Sequence, residues 1–277
     1  MKIIHIVPSI GIEASGPSQS VKGLCRSLFN LDEDVILASM DYPDASPSES
    51  ISDLKFGIVF PMGLGPLRMG RSPALFEWLN KEVCDGERIL CHNHGMWQLM
   101  CLYGSRVSKA SNVTLIQSPR NALSEYSLRS GSRLKPLFWK MLQKRALQRV
   151  DCFHATCEAE YRDIRALGFT QPVAIIPNGV DIPAISPVET RTDGRVLTYL
   201  GRLHPEKGLD NLLSAWQSIQ SNFKNWRLQL IGPGDKRYIE HLKELAFRLE
   251  LDAVDFLGPM YTAKKWEAHR NADLYIL

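Results

Sequence analysis

The feature of this chain that most constrains its fold is a repeated pattern: a short apolar run, a glycine-containing loop and then a helical pattern. One apolar run spans residues 196–200, is rich in β-forming side chains and ends at Gly201, as a buried strand does. Apolar residues then recur at helical spacing over 209–219. The run at 2–7 is likewise followed by a loop of glycines and serines and a helix. Alternating strands and helices predict an α/β fold with doubly wound parallel sheets.

The pattern falls into two parts, which predict two domains. A polar stretch with several prolines follows 178–181 and continues to Gly194, as an interdomain linker would. We therefore expect a first domain over residues 1–180 and a second over 181–277. The second contains only four predicted strands, which is too few for a doubly wound sheet covered on both faces. We therefore expect the second domain to be incomplete and the chain to be truncated.

Composition narrows the class of protein. A chain of 277 residues with 44% hydrophobic and 23% charged residues is typical of a soluble globular protein of about two domains. The net charge of +3 is too small to indicate a nucleic-acid partner. No apolar run is long enough for a signal peptide or a membrane span, so we expect a cytoplasmic protein. The six cysteines lack metal-ligand spacing and are predicted to be reduced thiols.

The stretch 201–208 predicts an anion site. It leads from a strand into a helix whose first N–H groups have no partner within the helix. Arg202 offers a planar fork of donors and Lys207 a mobile charge beside the helix N-terminus, so the two could hold a phosphate or diphosphate. Two solvated surface residues are the simpler alternative for an isolated pair of this kind. Further glycine turns at 232–235 and 258–259 follow the next two predicted strands.

A second candidate site lies in the first half of the chain. The apolar run 89–91 leads into His92 and His94, followed by Gly95 and Trp97, where α/β sheets bind their ligands. Hydrogen-bonded structural histidines are an equally good interpretation. No carboxylate or cysteine lies at ligand spacing, so an acid–base or hydrogen-bonding role is favoured over a metal. Arg120, after the strand at 113–117, is another cation at this edge, suited to a phosphate or an acceptor.

The segment 129–149 is basic and amphipathic. It contains seven lysines and arginines and no acidic residue, interleaved with apolar side chains. Two interpretations stay open: a solvated helix packed on the domain, or an interfacial helix on anionic lipid. The glycine-rich loop around Gly16 lacks the G-x-G-x-x-G spacing, which disfavours a nicotinamide cofactor.

Together these motifs resemble the group 1 (family 4) retaining glycosyltransferases. In the second half the resemblance rests on 201–208, on the linker sequence 177–181 and on 230–234. The first half adds 92–97, 118–120 and 154–160, which are similar to the branch of the family that assembles bacterial surface polysaccharides.

The resemblance implies a GT-B fold, in which two Rossmann-like domains face each other across a cleft. Residues 1–180 would bind the acceptor and 181–277 the nucleotide-sugar donor. It also implies metal independence, no cofactor other than the donor substrate, and a glycan or lipid-linked acceptor. An enzyme of this kind would work in the cytoplasm, at the inner face of the membrane if 129–149 contacts lipid.

Carried over to this sequence, the resemblance implies individual roles. Arg202 and Lys207 would bind the diphosphate and stabilise its departure, and His94 would contact the transferred sugar. Trp97 and Arg120 would contact the acceptor. Six residues would face the donor, mainly through backbone groups: Gly16, Gly201, Gly232, Gly234, Leu257 and Gly258.

Three departures from the family pattern matter. The paired-glutamate motif that holds the donor sugar and ribose normally follows the strand at 272–277, and it is absent from this sequence. Asn121 and Ser15 stand where the family usually has glycine, which changes backbone freedom in two loops. A catalytically inactive nucleotide-binding or scaffold protein is therefore the alternative hypothesis.

Overall fold

The computed structural model describes residues 1–10, 16–41, 54–182 and 194–277. It contains two compact units, Met1–Val180 and Asp181–Leu277. Most of the predicted glycine-rich loop before Gly16, including Ser15, lies outside the described residues, and so does most of the predicted linker.

The first unit is built on a seven-stranded sheet whose order is β3-β2-β1-β4-β5-β6-β7. All its strand pairs are parallel. The strands are β1 Lys2–Ile6, β2 Val35–Met40, β3 Gly57–Phe60, β4 Ile89–His94, β5 Val113–Ser118, β6 Cys152–Ala155 and β7 Val173–Ile175. The helices are α1 Gly16–Asn30, α2 Pro73–Cys84, α3 Tyr103–Val107, α4 Glu125–Arg129, α5 Lys135–Phe138, α6 Lys144–Leu147 and α7 Glu158–Ala166.

The strand order of this sheet determines where a site can form. The chain runs outward through β2 and β3 on one side of β1, then returns to β4 on the other side. The order of connection therefore reverses between β1 and β4, and α/β proteins bind ligands at the carboxyl end of such a switch point. Apolar strand side chains pack into two core clusters. The buried polar side chains of β1 and β4 are three histidines and an asparagine, and they lie toward that end.

The second unit has a four-stranded parallel sheet in the order β10-β9-β8-β11. Its strands are β8 Arg195–Leu200, β9 Trp226–Ile231, β10 Val254–Gly258 and β11 Leu274–Ile276, and its helices are α8 Leu209–Ile219, α9 Lys236–Arg248 and α10 Thr262–Arg270. Leu209, Leu213 and Trp216 of α8 pack with Leu228 and Leu230 of β9 in one core cluster. The helical spacing that predicted α8 therefore marks its buried face.

The strand predicted to begin at 89–91 and end in two histidines is β4, in which His92 pairs in register with His5 of β1 and His94 with Ser118 of β5. One local prediction was wrong, because the basic segment is not one helix. The chain turns after α4 at Gly131, whose φ of 95° lies in the left-handed region, and a π-helical turn at Trp139–Gln143 separates α5 from α6.

Among the described residues, no helix is both long enough and apolar enough to cross a membrane.

Candidate functional site

In the second unit, two glycine turns pack directly against each other. The Gly201 N–H donates to the Ile231 carbonyl at 2.9 Å, and the Leu203 N–H donates to the Pro233 carbonyl at 2.7 Å. A methyl group at Gly232, whose φ is 152°, would collide with the Gly201 carbonyl oxygen. One at Gly234 would lie 2.6 Å from the Leu203 oxygen. The two turns can approach this closely only because these positions are glycines.

This packing fixes the backbone that carries Arg202. The hydroxyl of Tyr199, a buried residue of β8, donates to the Arg202 carbonyl at 3.0 Å. The Arg202 side chain is 56% exposed, and its Nη2 lies 3.4 Å from the Glu206 carboxylate. Arg202 therefore combines a rigid backbone with an accessible guanidinium, as a residue that binds an anion from solution requires.

Lys207 lies immediately before helix α8. It ends the 3-10 turn Pro205–Lys207, and Gly208, with a φ of 66°, directs the chain into the helix. No side chain caps the start of α8, so its first N–H groups and the exposed Lys207 are both available to an anion. The acidic residue of the first turn, Asp210, already accepts hydrogen bonds from Tyr238 at 2.5 Å and from His241 at 2.6 Å.

The other predicted donor residues lie in different places. Gly258 ends β10 with a φ of 71°, and its carbonyl accepts the Gly232 N–H at 2.9 Å, so it joins the two glycine turns. The neighbouring Leu257 is 41% exposed. Gly16 belongs to the first unit, where it begins helix α1, and no other described residue comes within 4 Å of the position that a Cβ would take there.

In the first unit, four histidines form a contiguous cluster near the switch point. Nδ1 of His5 lies 2.9 Å from Nε2 of His94, and Nδ1 of His154 lies 3.2 Å from Nε2 of His92. The His92 and His94 ring centroids are 4.0 Å apart. All four residues are buried, and His94 is completely so. Arg120 extends the cluster, since its Nη2 lies 3.1 Å from Nδ1 of His94.

The hydrogen bonds fix the proton positions in half of this cluster. Arginine can only donate, so Nδ1 of His94 accepts from Arg120 and the ring proton of neutral His94 is on Nε2. That proton is donated to Nδ1 of His5, which leaves the His5 proton on Nε2. Within the described residues, this last N–H is buried without a hydrogen-bond partner.

The same reasoning applies to the other pair. The Ile176 carbonyl can only accept, so Nε2 of His154 donates to it at 2.9 Å. Nδ1 of His154 must then accept from Nε2 of His92. The four imidazoles thus all carry their proton on Nε2. The Nδ1 atoms of His5, His94 and His154 accept hydrogen bonds, so a second proton on any of them would face the hydrogen of its donor.

Burial keeps these histidines neutral. It lowers the pKa of His5 to about 4, with the Arg120 charge as the next cause, and it lowers those of His92 and His94 well below the usual value. Burial is also the main cause that lowers the pKa of His154, which a hydrogen bond to the Ile176 carbonyl partly offsets.

In the described part of the chain, His5, His92 and His94 are also the one group that could present three metal ligands, with one ring nitrogen each within 4.8 Å of the others. The hydrogen bonds oppose that use. A metal on Nε2 of His94 would move the ring proton to Nδ1, where Arg120 donates. Arg120 would also place a positive charge beside the ion. The cluster is therefore better suited to hydrogen bonding than to ligation, and metal independence stays a prediction.

Trp97 follows the cluster in an uncommon backbone conformation, with a φ of 71°. The backbone N–H of Trp97 donates to Oε1 of Gln143, a completely buried residue in the π-helical turn, at 3.3 Å. Nζ of Lys135 lies 4.3 Å from the centre of the Trp97 ring. The predicted acceptor residue is therefore held by the middle of the basic segment, and π-helical turns are frequent at functional sites.

Several residues at this edge were not among the predicted site residues. His5 was hidden in an apolar run, and only its register opposite His92 reveals its role. Glu160 accepts the Asn121 N–H at 2.6 Å and so supports the loop of Arg120. Gln143 has no sequence signal beyond a polar residue in a helical pattern.

Two family models match almost the entire chain. The glycosyl transferase 4-like domain matches residues 15–179, and the glycosyl transferases group 1 model matches residues 181–277. An uncharacterized glycosyltransferase of Haemophilus influenzae is 32% identical over 68 residues. That match spans 24% of this chain and only 19% of the relative's length.

Solved structures resemble the chain over 99% of its length. The apo lipopolysaccharide outer core galactosyltransferase WaaB has a TM-score of 0.66 at 16% identity, and Anabaena HepE in complex with UDP and glucose has 0.69 at 17%. A variant of S. aureus TarM in complex with fondaparinux, alpha-GlcNAc-glycerol and UDP has 0.71 at 10%. The chain covers 73%, 73% and 80% of these proteins respectively. At these identities the likeness concerns the fold alone, and it confirms the predicted GT-B fold.

Proposed function

Since the chain belongs to the group 1 glycosyltransferases, we propose that it transfers a sugar from a nucleotide-diphosphate sugar to a glycan or lipid-linked acceptor in surface-polysaccharide biosynthesis. We further propose that the anomeric configuration of the sugar is retained, as in family 4. The observation that carries the proposal is the packed pair of glycine turns, which holds the Arg202 backbone rigid and leaves its guanidinium exposed, in the loop that leads to Lys207 and an uncapped helix start.

In the proposed reaction, the bond between the anomeric carbon and the terminal phosphate oxygen breaks, and an acceptor hydroxyl forms the new bond on the same face. The departing diphosphate takes the hydroxyl proton, so no protein nucleophile is needed. Arg202 and Lys207 neutralise the charge that develops on the leaving group. Fixed donors of this kind are typically worth about 3–4 kcal/mol each in the transition state.

The acceptor side of the proposal concerns the first unit. Within the described residues, Nε1 of Trp97 and Nε of Arg120 are buried donors without a partner, which is costly unless a ligand or water supplies the acceptor. The hydroxyl oxygens of a sugar would supply it. A direct contact between His94 and the transferred sugar stays a prediction, since both its ring nitrogens are already hydrogen-bonded and the contact requires one of them to be released.

The choice of donor class has support from similar proteins. HepE was solved with UDP and glucose, and TarM with UDP. These ligands belong to those proteins, and they make UDP sugars the first donors to test here, followed by GDP sugars.

We also propose that the basic segment contacts the inner face of an anionic membrane. Leu134, Leu137 and Met141 are 62%, 56% and 57% exposed, and they lie near the exposed cations Lys140 and Lys144. Exposed apolar side chains flanked by cations are typical of interfacial helices. Vesicle binding should increase with anionic lipid and fall with salt. Charge reversal at Lys140 and Lys144 should weaken it, whereas reversal at the exposed Lys109 should not. Equal binding to neutral vesicles would contradict this part of the proposal.

The donor site can be tested by calorimetry with UDP and GDP. We expect saturable binding that weakens as salt is added, because the phosphate contacts are exposed. Arg202→Ala and Lys207→Ala should each weaken it at least tenfold. Arg248→Ala, which removes an exposed cation at the far end of α9, serves as the matched control and should leave the affinity unchanged. Wild-type affinity in the Arg202 and Lys207 variants, or no binding at millimolar nucleotide, would contradict the proposed site.

A further inference from the structure

Glu160 is a buried carboxylate that joins two loops at the edge of the first sheet. It lies in the first turn of α7 and is 1% exposed. One carboxylate oxygen accepts the N–H and the hydroxyl of Thr156 at 2.6 and 2.9 Å. The other accepts the N–H of Asn121 at 2.6 Å, 39 positions earlier in the chain. All of its neighbours in these bonds are donors, which suits an ionised carboxylate.

The loop that Glu160 holds has an unfavourable backbone conformation. Arg120 and Asn121 are consecutive non-glycine residues in the left-handed region, with φ values of 55° and 64°. Such residues persist only where the surrounding structure imposes the conformation. The bond from Asn121 to Glu160 is the contact that fixes the second of them, on the residue next to Arg120.

The conformation of this loop determines where the Arg120 side chain lies. Its Nη1 donates to Oδ1 of Asn178, and its Nη2 donates to Nδ1 of His94. Burial lowers the pKa of Arg120, and the Glu160 charge is the cause that raises it again. Glu160 thus contributes both the loop geometry and a compensating charge for a half-buried guanidinium.

We infer that Glu160 is a positioning residue that holds Arg120 as a fixed hydrogen-bond donor for the acceptor. The acceptor role of Arg120 rests on the proposed function. The contacts by which Glu160 holds the loop of Arg120 do not depend on it. A capping role at the start of α7 explains only the bonds to Thr156. It does not require a bond to Asn121, so the two roles predict different consequences for Arg120.

The test uses the full chain labelled with ¹⁵N-arginine, with the Arg120 side-chain signal assigned from Arg120→Lys. In the wild type we expect slow solvent exchange of the Arg120 Nε–H, because it is buried. Glu160→Gln turns an NH2 group toward a donor and should accelerate this exchange at least tenfold. Thr156→Val removes one of the three bonds with little change in shape and should accelerate it two- to fivefold. Glu158→Gln, in the same helical turn but exposed, should have no effect.

Backbone amide exchange in β5 separates positioning from general loosening. We expect it to stay at the wild-type rate in Thr156→Val while the Arg120 side chain exchanges faster. Unchanged Arg120 exchange in both the Glu160 and Thr156 variants, or equal acceleration of β5, would overturn the inference. Steady-state kinetics then address the proposed function separately: Glu160→Gln should raise the acceptor KM tenfold or more and leave the donor KM unchanged. Faster Arg120 exchange with unchanged acceptor kinetics would support the positioning role and contradict the acceptor role of Arg120.

Discussion

The two candidate regions use opposite physical means. At the edge of the first sheet, the four histidines are buried, neutral and hydrogen-bonded in pairs, and His94 has no free ring nitrogen. At the glycine turns of the second unit, Arg202 and Lys207 are charged and exposed on a rigid backbone. The first region is organised by side chains and the second by backbone packing.

The contrast shows where each region is sensitive. A buried hydrogen-bonded cluster depends on the protonation and shape of each member, because an unpaired polar group in a low dielectric is costly. Exposed cations depend on salt and on competing charges. The second region also depends on the packed backbone of the glycine turns, which carries these cations.

The largest effect is expected from a substitution that disrupts the backbone packing of the second region. In Gly232→Ala the added methyl group collides with the Gly201 carbonyl oxygen, so we expect a loss of about 3–5 kcal/mol in the stability of residues 194–277. Gly258→Ala is the control: its φ of 71° is also unfavourable, but a Cβ there meets nothing within 4 Å. That variant should lose only about 1–2 kcal/mol. Urea unfolding followed by hydrogen exchange of 194–277 measures both, and equal losses would contradict the packing argument.

The next effect is the loss of stability at low pH that the buried histidines of the first region should cause. Unfolded histidines bind a proton near pH 6.5, whereas the pKa of folded His5 is about 4 because it is buried. Between these values the unfolded state holds more protons, so stability falls as the pH is lowered. His5 should cost about 1.6 kcal/mol between pH 6.5 and 5, and the lowered pKa values of His92, His94 and His154 should add to the loss in the same direction. His5→Asn, which stays neutral in both states, should reduce this pH dependence by one histidine's share.

Strands β8 and β9 of the second unit contain no histidine and provide the internal control for the acid measurement. Hydrogen exchange in β1 and β4 should accelerate at pH 5 relative to pH 7, after correction for the intrinsic rates. If β8 and β9 lose protection to the same extent, the histidine cluster is not the cause.

The smallest expected effect tests the exposed charges of the second region. The Glu206 carboxylate lies 3.4 Å from Nη2 of Arg202, where it would compete with the proposed phosphate. Exposed ion pairs are weak, so we expect Glu206→Gln to raise UDP or GDP affinity two- to fivefold at low salt, about 0.4–1 kcal/mol. Glu240→Gln removes the same charge from a surface pair with Lys243 and should not change the affinity. A lower affinity in Glu206→Gln would mean that Glu206 supports the site instead of competing for it.

The second region was the easier one to predict from sequence. Its signals are local: an apolar run, the glycines at 201 and 208, and a helical pattern after them. The turn of Gly232 and Gly234 was predicted for the same reason. What the sequence could not provide was the contact between the two turns, which depends on the register of β8 and β9.

The first region was predicted only in outline, because its structure depends on long-range pairing. His92 and His94 were predicted at the end of a strand, and they end β4. The sequence could not show that His5 and Ser118 lie opposite them in the neighbouring strands. The bond between Glu160 and Asn121 joins residues 39 positions apart, and no local pattern predicts it.

The central claim is that this chain cleaves a nucleotide-diphosphate sugar at the glycosidic bond with the help of Arg202 and Lys207. The most direct measurement is the release of nucleoside diphosphate from UDP and GDP sugars, with and without glycan or lipid-linked acceptors. We predict release of the intact diphosphate by the wild type and a loss of about 100-fold or more in Arg202→Ala, which corresponds to about 3 kcal/mol. Undiminished release by Arg202→Ala and Lys207→Ala would contradict the leaving-group assignment. Nucleotide binding without any release would contradict the transferase function and favour an inactive nucleotide-binding protein.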